Sequence, residues 1–159
     1  IDYFKKMDIP NLTVVSPDVG GIKMARAYAK RLSAGLAICD KRRHGPTETE
    51  VIHIIGEVGG RNVLLVDDMI ATGTSIVNAA AACKENGAQD VYICATHPVL
   101  AGSAMEKLAN SPVKEIVVTD SIPLGDKSLP NLKVLSVAEL VGEAIRRIHK
   151  SESVSSLFL

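Results

Sequence analysis

Val63-Leu64-Leu65-Val66-Asp67-Asp68-Met69-Ile70-Ala71-Thr72-Gly73-Thr74-Ser75 runs from four continuous apolar residues into two adjacent carboxylates, then through a Thr/Gly/Ser turn toward a helix. The apolar run reads as a strand buried on both faces, as in a parallel sheet, and open α/β sheets bind ligands beyond the carboxyl ends of their strands. Ala71, Thr72, Gly73, Thr74 and Ser75 can offer backbone N–H groups, hydroxyls and a helix N-terminus to a phosphate dianion. Asp67 and Asp68 can accept hydrogen bonds from sugar hydroxyls or hold Mg2+ through water. A helix cap needs only one such side chain. An acidic pair followed by a hydroxyl cluster therefore argues for a ligand with both a phosphate and a polyhydroxyl part.

Outward from this stretch, strand-like runs at 12–16, 36–39, 63–66, 91–95, 115–119 and 133–136 alternate with helical stretches at 21–32, 75–85, 102–109 and 137–149. Such alternation signals βαβ units, so the expected fold class is α/β, a mainly parallel twisted sheet flanked by helices. Asn86-Gly87 supplies a helix stop. Residues 40–50 are polar, aperiodic and punctuated by Gly45-Pro46, which predicts a flexible loop after the second strand. Residues 51–58 alternate loosely ahead of Gly59-Gly60, as a short β-arm with a hairpin turn would. Residues 122–131, with Pro123, Gly125 and Pro130, read as a surface connection.

Length and composition bound the function. With 159 residues, 47% of them hydrophobic, residues 1–159 suit a single domain with a core large enough to fold alone. Lys+Arg 18 against Asp+Glu 18 gives no net field to recruit nucleic acid or an anionic membrane, so any cationic function is local. The absence of Trp, 3% aromatics and the lack of a stacking motif further disfavour single-stranded nucleic-acid binding. Cys39, Cys83 and Cys94 are widely spaced within apolar patterns. They read as small buried residues of a protein in the reducing cytoplasm. No apolar run reaches the roughly 18 residues of a membrane span, and no secretory signal opens the chain. The first residue is Ile1 and not Met, so a piece of a longer protein is expected.

Three further constellations fall at strand ends. Ser16-Pro17-Asp18-Val19-Gly20-Gly21 follows the first strand and leads into a helix. Asp18 there is a candidate metal ligand or hydroxyl acceptor, and the paired glycines permit close approach of a ligand to the backbone. Lys41-Arg42-Arg43 leaves the second strand into the loop, where it could bring cations onto a transferring phosphoryl group and close the site against water. Thr96-His97-Pro98-Val99-Leu100-Ala101-Gly102 follows another strand, and His97 could touch a phosphate or a nucleotide.

The strand, acidic pair and Thr-Gly loop resemble the fingerprint of the type I phosphoribosyltransferases. Asp40-Lys41-Arg42-Arg43, the segments 16–21 and 96–102, and the tail Glu152-Ser153-Val154-Ser155-Ser156-Leu157-Phe158 together resemble the ribose-phosphate pyrophosphokinase family. That resemblance covers essentially the whole chain, against the C-terminal half of the family's subunit. It implies transfer of the β,γ-diphosphoryl group of Mg-ATP to the 1-hydroxyl of ribose 5-phosphate, with AMP released. Position by position, it implies that Asp18 is associated with the metal and that Lys41 and Arg43 are the loop cations that stabilise the transition state. Asp67 and Asp68 would hold the ribose hydroxyls, residues 71–75 would wrap the 5-phosphate, and His97 would lie toward ATP. A cytoplasmic homo-oligomer that uses Mg2+ is implied as well. Two positions depart from the family pattern: Ala71 stands where an Asp is common and the loop glycine comes one place early, and Ser156 replaces a usual aromatic residue. The rival readings are a nucleobase phosphoribosyltransferase and a non-catalytic regulatory subunit.

Overall fold

The computed structural model describes residues 1–42 and 51–158. Among them, seven strands form one sheet: β1 (Leu12–Ser16), β2 (Gly35–Arg42), β3 (Val51–Ile55), β4 (Asn62–Met69), β5 (Val91–His97), β6 (Glu115–Thr119) and β7 (Leu132–Leu135). The strand order is β3-β2-β1-β4-β5-β6-β7. Every neighbouring pair is parallel except β2 with β3. The α/β class and the mainly parallel sheet expected from the sequence are what the chain forms. Helices α1 (Asp2–Met7), α2 (Ile22–Leu32), α3 (Thr74–Glu85), α4 (Ala104–Ala109) and α5 (Ala138–His149) complete the fold with a 3-10 turn at Ser155–Phe158.

Two apolar clusters sandwich the sheet, because successive strand residues point to opposite faces. Val14, Leu64, Val66, Tyr92 and Val117 pack with Phe4 of α1 and with Ala25 and Ala29 of α2. Val15, Val63, Leu65, Val91, Ile93 and Ile116 pack with Ile76, Ala79 and Cys83 of α3 and Leu108 of α4. Consecutive residues of β4 thus serve both clusters, which is why its apolar run is unbroken. Each fully buried Leu or Ile contributes roughly 1.5–3 kcal/mol relative to exposure. The three cysteines are free thiols, with Cys39 and Cys83 buried and Cys94 half-buried.

The strand order reverses at β1. From β1 the chain runs outward to β2, and after β3 it returns to place β4 on the other flank of β1. The carboxyl ends of β1 and β4 therefore flank a topological switch point, the place where open α/β sheets receive ligands.

Several elements differ from the sequence-based expectation. β2 continues through Arg42, so Asp40, Lys41 and Arg42 belong to a strand and not to the loop expected at 40–50. The remainder of that expected loop, including Arg43, lies outside the described residues. β3 pairs antiparallel with β2, from Ile38↔Ile55 to Arg42↔Val51. The expected β-arm is therefore an edge strand of the main sheet. The turn at Gly59-Gly60 makes no hairpin, since β4 pairs with β1 and β5. The lead-in to β1 holds α1, which buries Phe4 and lets the Tyr3 hydroxyl donate to Glu115 at 2.7 Å. A six-residue helix has too few residues to announce itself by periodicity, and tertiary contact stabilises it. β4 also extends through Asp67, Asp68 and Met69 instead of ending at Val66.

Candidate functional site

The extension of β4 through the acidic pair sets the geometry of the site. Because side chains alternate along a strand, Asp67 follows the face of Leu65, toward α3, and Asp68 follows the face of Val66, toward α2. Asp67 is half-buried and Asp68 is exposed. A cleft of about 130 Å³ is lined by Asp18, Asp67, Met69, Ile70 and residues 71–76. Beside it, a wider hollow of about 440 Å³ is lined by Asp18, Gly20, Gly21, Lys23, Met24, Asp67 and Asp68. Asp18, Asp67, Asp68, Ala71, Thr72, Gly73, Thr74 and Ser75 are thus brought together, with Asp18 and Asp67 common to both spaces.

The turn after β1 is built around Asp18. Its Oδ1 accepts from the Gly21 N–H at 3.0 Å, and its carbonyl accepts from the Ser16 hydroxyl at 2.6 Å. A Cβ on Gly21 would lie 2.7 Å from Ser16 Oγ, so only glycine leaves this turn undisturbed. Asp18 therefore orders the entrance to α2 with one carboxylate oxygen while the residue lines the cleft.

The loop after β4 turns at Gly73, whose φ of 74° is a left-handed conformation that favours glycine. Among the described residues no side chain caps α3. Its first-turn N–H groups and positive dipole end thus face the cleft free of a side-chain acceptor. The loop is held from behind by the segment after β5. The Ile70 N–H donates to the His97 carbonyl at 3.0 Å, the Leu100 N–H to the Ile70 carbonyl at 2.9 Å, and the Ala101 N–H to the Ala71 carbonyl at 2.9 Å. Segment 96–102, notable in the sequence for its histidine, thus acts in the fold through its backbone as a splint for the Thr/Gly/Ser loop.

Burial raises the Asp67 carboxyl from its ordinary value of 3.8 to about 6, and repulsion by Asp68 and Asp18 acts in the same direction. The Asp68 N–H, donating to Asp67 Oδ1 at 2.9 Å, works against that rise. A half-buried carboxylate with two like-charged neighbours is stabilised by added positive charge, which a cation can supply, or by hydrogen bonds from sugar hydroxyls.

The other expected site residues are spread along the same sheet edge. Lys41 lies in β2 three positions past Ile38, which pairs with Ser16, so its backbone stands at the level of the turn holding Asp18. His97 ends β5 in register with Met69, and its Nδ1 is 2.9 Å from the Ser121 hydroxyl. It lines neither of the two spaces. Sequence reasoning missed Lys107 of α4, whose Nζ donates to Thr74 Oγ1 at 2.7 Å and to the Thr72 carbonyl at 3.3 Å. Nothing local marks it, because only the parallel order of β4 and β5 sets α4 beside the start of α3.

Residues 40–159 match the family described as the phosphoribosyl synthetase-associated domain. The chain belongs to this family. This member of the phosphoribosyl synthetase-associated family is 50% identical over 157 residues to the ribose-phosphate pyrophosphokinase of Oceanobacillus iheyensis, covering 98% of this chain and 50% of that protein. Its structure is similar to phosphoribosylpyrophosphate synthetase from Mycobacterium smegmatis, with TM-score 0.87 and 36% identity over 94% of this chain and 49% of that one. The purine phosphoribosyltransferase of Pyrococcus horikoshii Ot3 aligns with TM-score 0.52 and 16% identity over 86% of this chain and 76% of that one, a likeness of fold alone. The chain spans about half the length of the curated relatives it matches. The family resemblance read from the sequence is thus upheld, and the nucleobase transferases are neighbours in fold.

Proposed function

We propose that this chain is the ribose 5-phosphate-binding domain, the C-terminal half, of a two-domain ATP:ribose-5-phosphate diphosphokinase, a transferase that makes 5-phosphoribosyl 1-diphosphate and AMP. The single observation that carries this reading is the cleft at the β1/β4 switch point, where Asp18 of the first turn, Asp67 of β4 and the start of α3 line one space. A bare phosphate would be repelled by the carboxylates, and a bare sugar would leave the helix end unused. A phosphorylated sugar satisfies both. The family match and the names of the relatives, of which the chain spans half, support the same reaction.

In this reading the 5-phosphate accepts hydrogen bonds from the N–H groups of residues 72–75 and from the Thr72, Thr74 and Ser75 hydroxyls. Asp67 and Asp68 accept from the ribose 2- and 3-hydroxyls, which fixes the ring with its 1-hydroxyl toward the ATP side. Transfer forms the bond between that oxygen and the β-phosphorus and breaks the bond from the β-phosphorus to the α,β-bridging oxygen. AMP leaves, and the hydroxyl proton is released to solvent. Lys41 and Arg43 are assigned to the negative charge that spreads over the moving phosphoryl oxygens. His97 is assigned to the nucleotide side.

Mg2+ suits the donor set. Among the described residues no cluster of three or more His, Cys, Asp or Glu could hold a metal by itself. Mg2+ is commonly bound by one or two carboxylates together with substrate oxygens and water, and Asp18 and Asp67 line one cleft, with the Asp67 carboxyl raised in part by repulsion from Asp68 and Asp18. Bound there with substrate, the ion would neutralise phosphate charge. Among the described residues no helix is long and apolar enough to cross a membrane. A cytoplasmic homo-oligomer, with no nucleic-acid or membrane partner, completes the proposal.

The test is phosphorus NMR of the chain with ribose 5-phosphate, then with Mg-ATP. A shifted and broadened 5-phosphate resonance is expected, and AMP is expected when the two-domain subunit is used. An unperturbed resonance at saturating protein would overturn the reading. Binding of a free purine or pyrimidine base would favour a nucleobase transferase instead.

A further inference from the structure

We infer that Lys107 is a positioning residue for anion recognition, orienting the Thr74 hydroxyl toward the phosphate group that the loop of residues 71–75 receives; this rests on the sugar-phosphate reading above. Lys107 is half-buried on α4, and its Nζ lies 2.7 Å from Thr74 Oγ1 and 3.3 Å from the Thr72 carbonyl oxygen. An ammonium group has donors and no acceptor. In the contact with Lys107, Thr74 must therefore accept, and its own hydroxyl proton is left for another acceptor. Thr72 Oγ1, 3.4 Å away, is the only weak partner near that proton among the described hydrogen bonds. A phosphate oxygen in the cleft is a stronger acceptor and would take the proton.

The charge acts in the same direction. Thr72 and Thr74 straddle Gly73, the left-handed residue just before α3, so a cation tied to both fixes the loop on either side of its turn. It also adds positive charge beside the dipole end of α3, through its contact with Thr74 in the first turn of that helix. The backbone of α4 buttresses this arrangement, since a Cβ built on Gly73 would stand 3.5 Å from Ala104 Cα and the helix therefore packs directly on the loop.

The experiment uses Lys107→Met, which keeps the stem and removes the charge, and Lys107→Arg, which keeps the charge. Ribose 5-phosphate, unphosphorylated ribose and inorganic phosphate are titrated into each by calorimetry, with melting temperature as the measure of folding. Loss of a charge-assisted contact predicts about a tenfold weaker ribose 5-phosphate affinity in Lys107→Met. Lys107→Arg should recover most of it, and the effect of the methionine variant on ribose should be negligible. Affinity of the unaltered chain should climb as the phosphate becomes a dianion near pH ~6, and this climb should be flatter in Lys107→Met. Because Lys107 acts through Thr74, the loss in Lys107→Met/Thr74→Val should be clearly smaller than the sum of the single losses. Equal affinity and an equal pH profile in Lys107→Met would overturn the role. So would additivity with Thr74→Val, or a loss that arginine does not repair. If the unaltered chain binds no ribose 5-phosphate, the sugar-phosphate reading fails and this assignment falls with it, a result distinct from binding that ignores residue 107.

Discussion

Gly21→Ala isolates one close approach at the site. Gly21 has φ −79° and ψ −2°, which alanine adopts freely, so no backbone strain is involved. The added Cβ would stand 2.7 Å from Ser16 Oγ, and Ser16 is fully buried. Either the turn shifts, an overpacking that costs about 1–3 kcal/mol, or the hydroxyl rotates away from the Asp18 carbonyl and is left unpaired, at a similar cost of about 1–3 kcal/mol. Alanine recovers about 0.4–1 kcal/mol through the unfolded chain. The expected net loss is about 1–2 kcal/mol, or roughly 2–8 °C in melting temperature for a chain of this size. Urea unfolding of Gly21→Ala, Ser16→Ala and the double variant reads this directly. Removing Oγ removes the clash, so the double variant should be more stable than the sum of the singles requires, by about 1 kcal/mol or more. Gly21→Ala at the stability of the unaltered chain, or strict additivity in the cycle, would refute the reasoning.

Asp67 gives a pH prediction. Its carboxyl is raised from 3.8 to about 6 in the folded chain, so the fold binds the proton more tightly than the unfolded chain does. Stability of the ligand-free chain should therefore be fully present below pH ~4, fall as pH rises to about 6, and level off above. After a discount for solvent screening the loss is about 1–2 kcal/mol. Asp67→Asn should flatten that profile in urea unfolding at pH 5 and pH 7 while weakening ribose 5-phosphate binding; an unchanged slope would count against the shift. Gly73→Ala should cost about 1–2 kcal/mol from the left-handed φ alone, since its Cβ meets Ala104 at ordinary distance. Calorimetry should show weaker phosphate binding in the same variant, and a full-affinity Gly73→Ala would detach the turn from the site. In the two-domain subunit, Lys41→Ala should lower kcat by about 10²–10³-fold, with the KM for ribose 5-phosphate nearly unchanged. Full turnover in a steady-state assay of AMP release would remove Lys41 from the transition state.

Much of the molecule was legible because its signals are local. The continuous apolar runs of β4, β5 and β6 name buried parallel strands, and β4 keeps its run because Leu64 and Leu65 serve opposite clusters. The parts that escaped were those whose sequence does not differ from their alternatives. Asp40, Lys41 and Arg42 look like loop, yet β3 supplies hydrogen-bonding partners that keep them extended. Asp67 and Asp68 look like a strand end, but pairing with β5 continues to Met69↔His97, and this turns the two carboxylates to opposite faces. Segment 96–102 drew notice for His97, whereas its structural work is done by backbone groups that carry no side-chain signature.

The sequence by itself determined the α/β class, the acidic pair, the Thr/Gly/Ser loop and the family, since each rests on residue types at fixed spacings along one stretch of chain. Only the tertiary structure decided that the turn holding Asp18 meets Asp67 across a switch point, and that the Asp67 carboxyl is raised. It alone set Lys107 against Thr74, residues 33 positions apart. The physical reason is that side-chain chemistry is written locally, whereas proximity, burial and the sum of nearby charges depend on which strands pair. In this fold that is the reversal of strand order at β1.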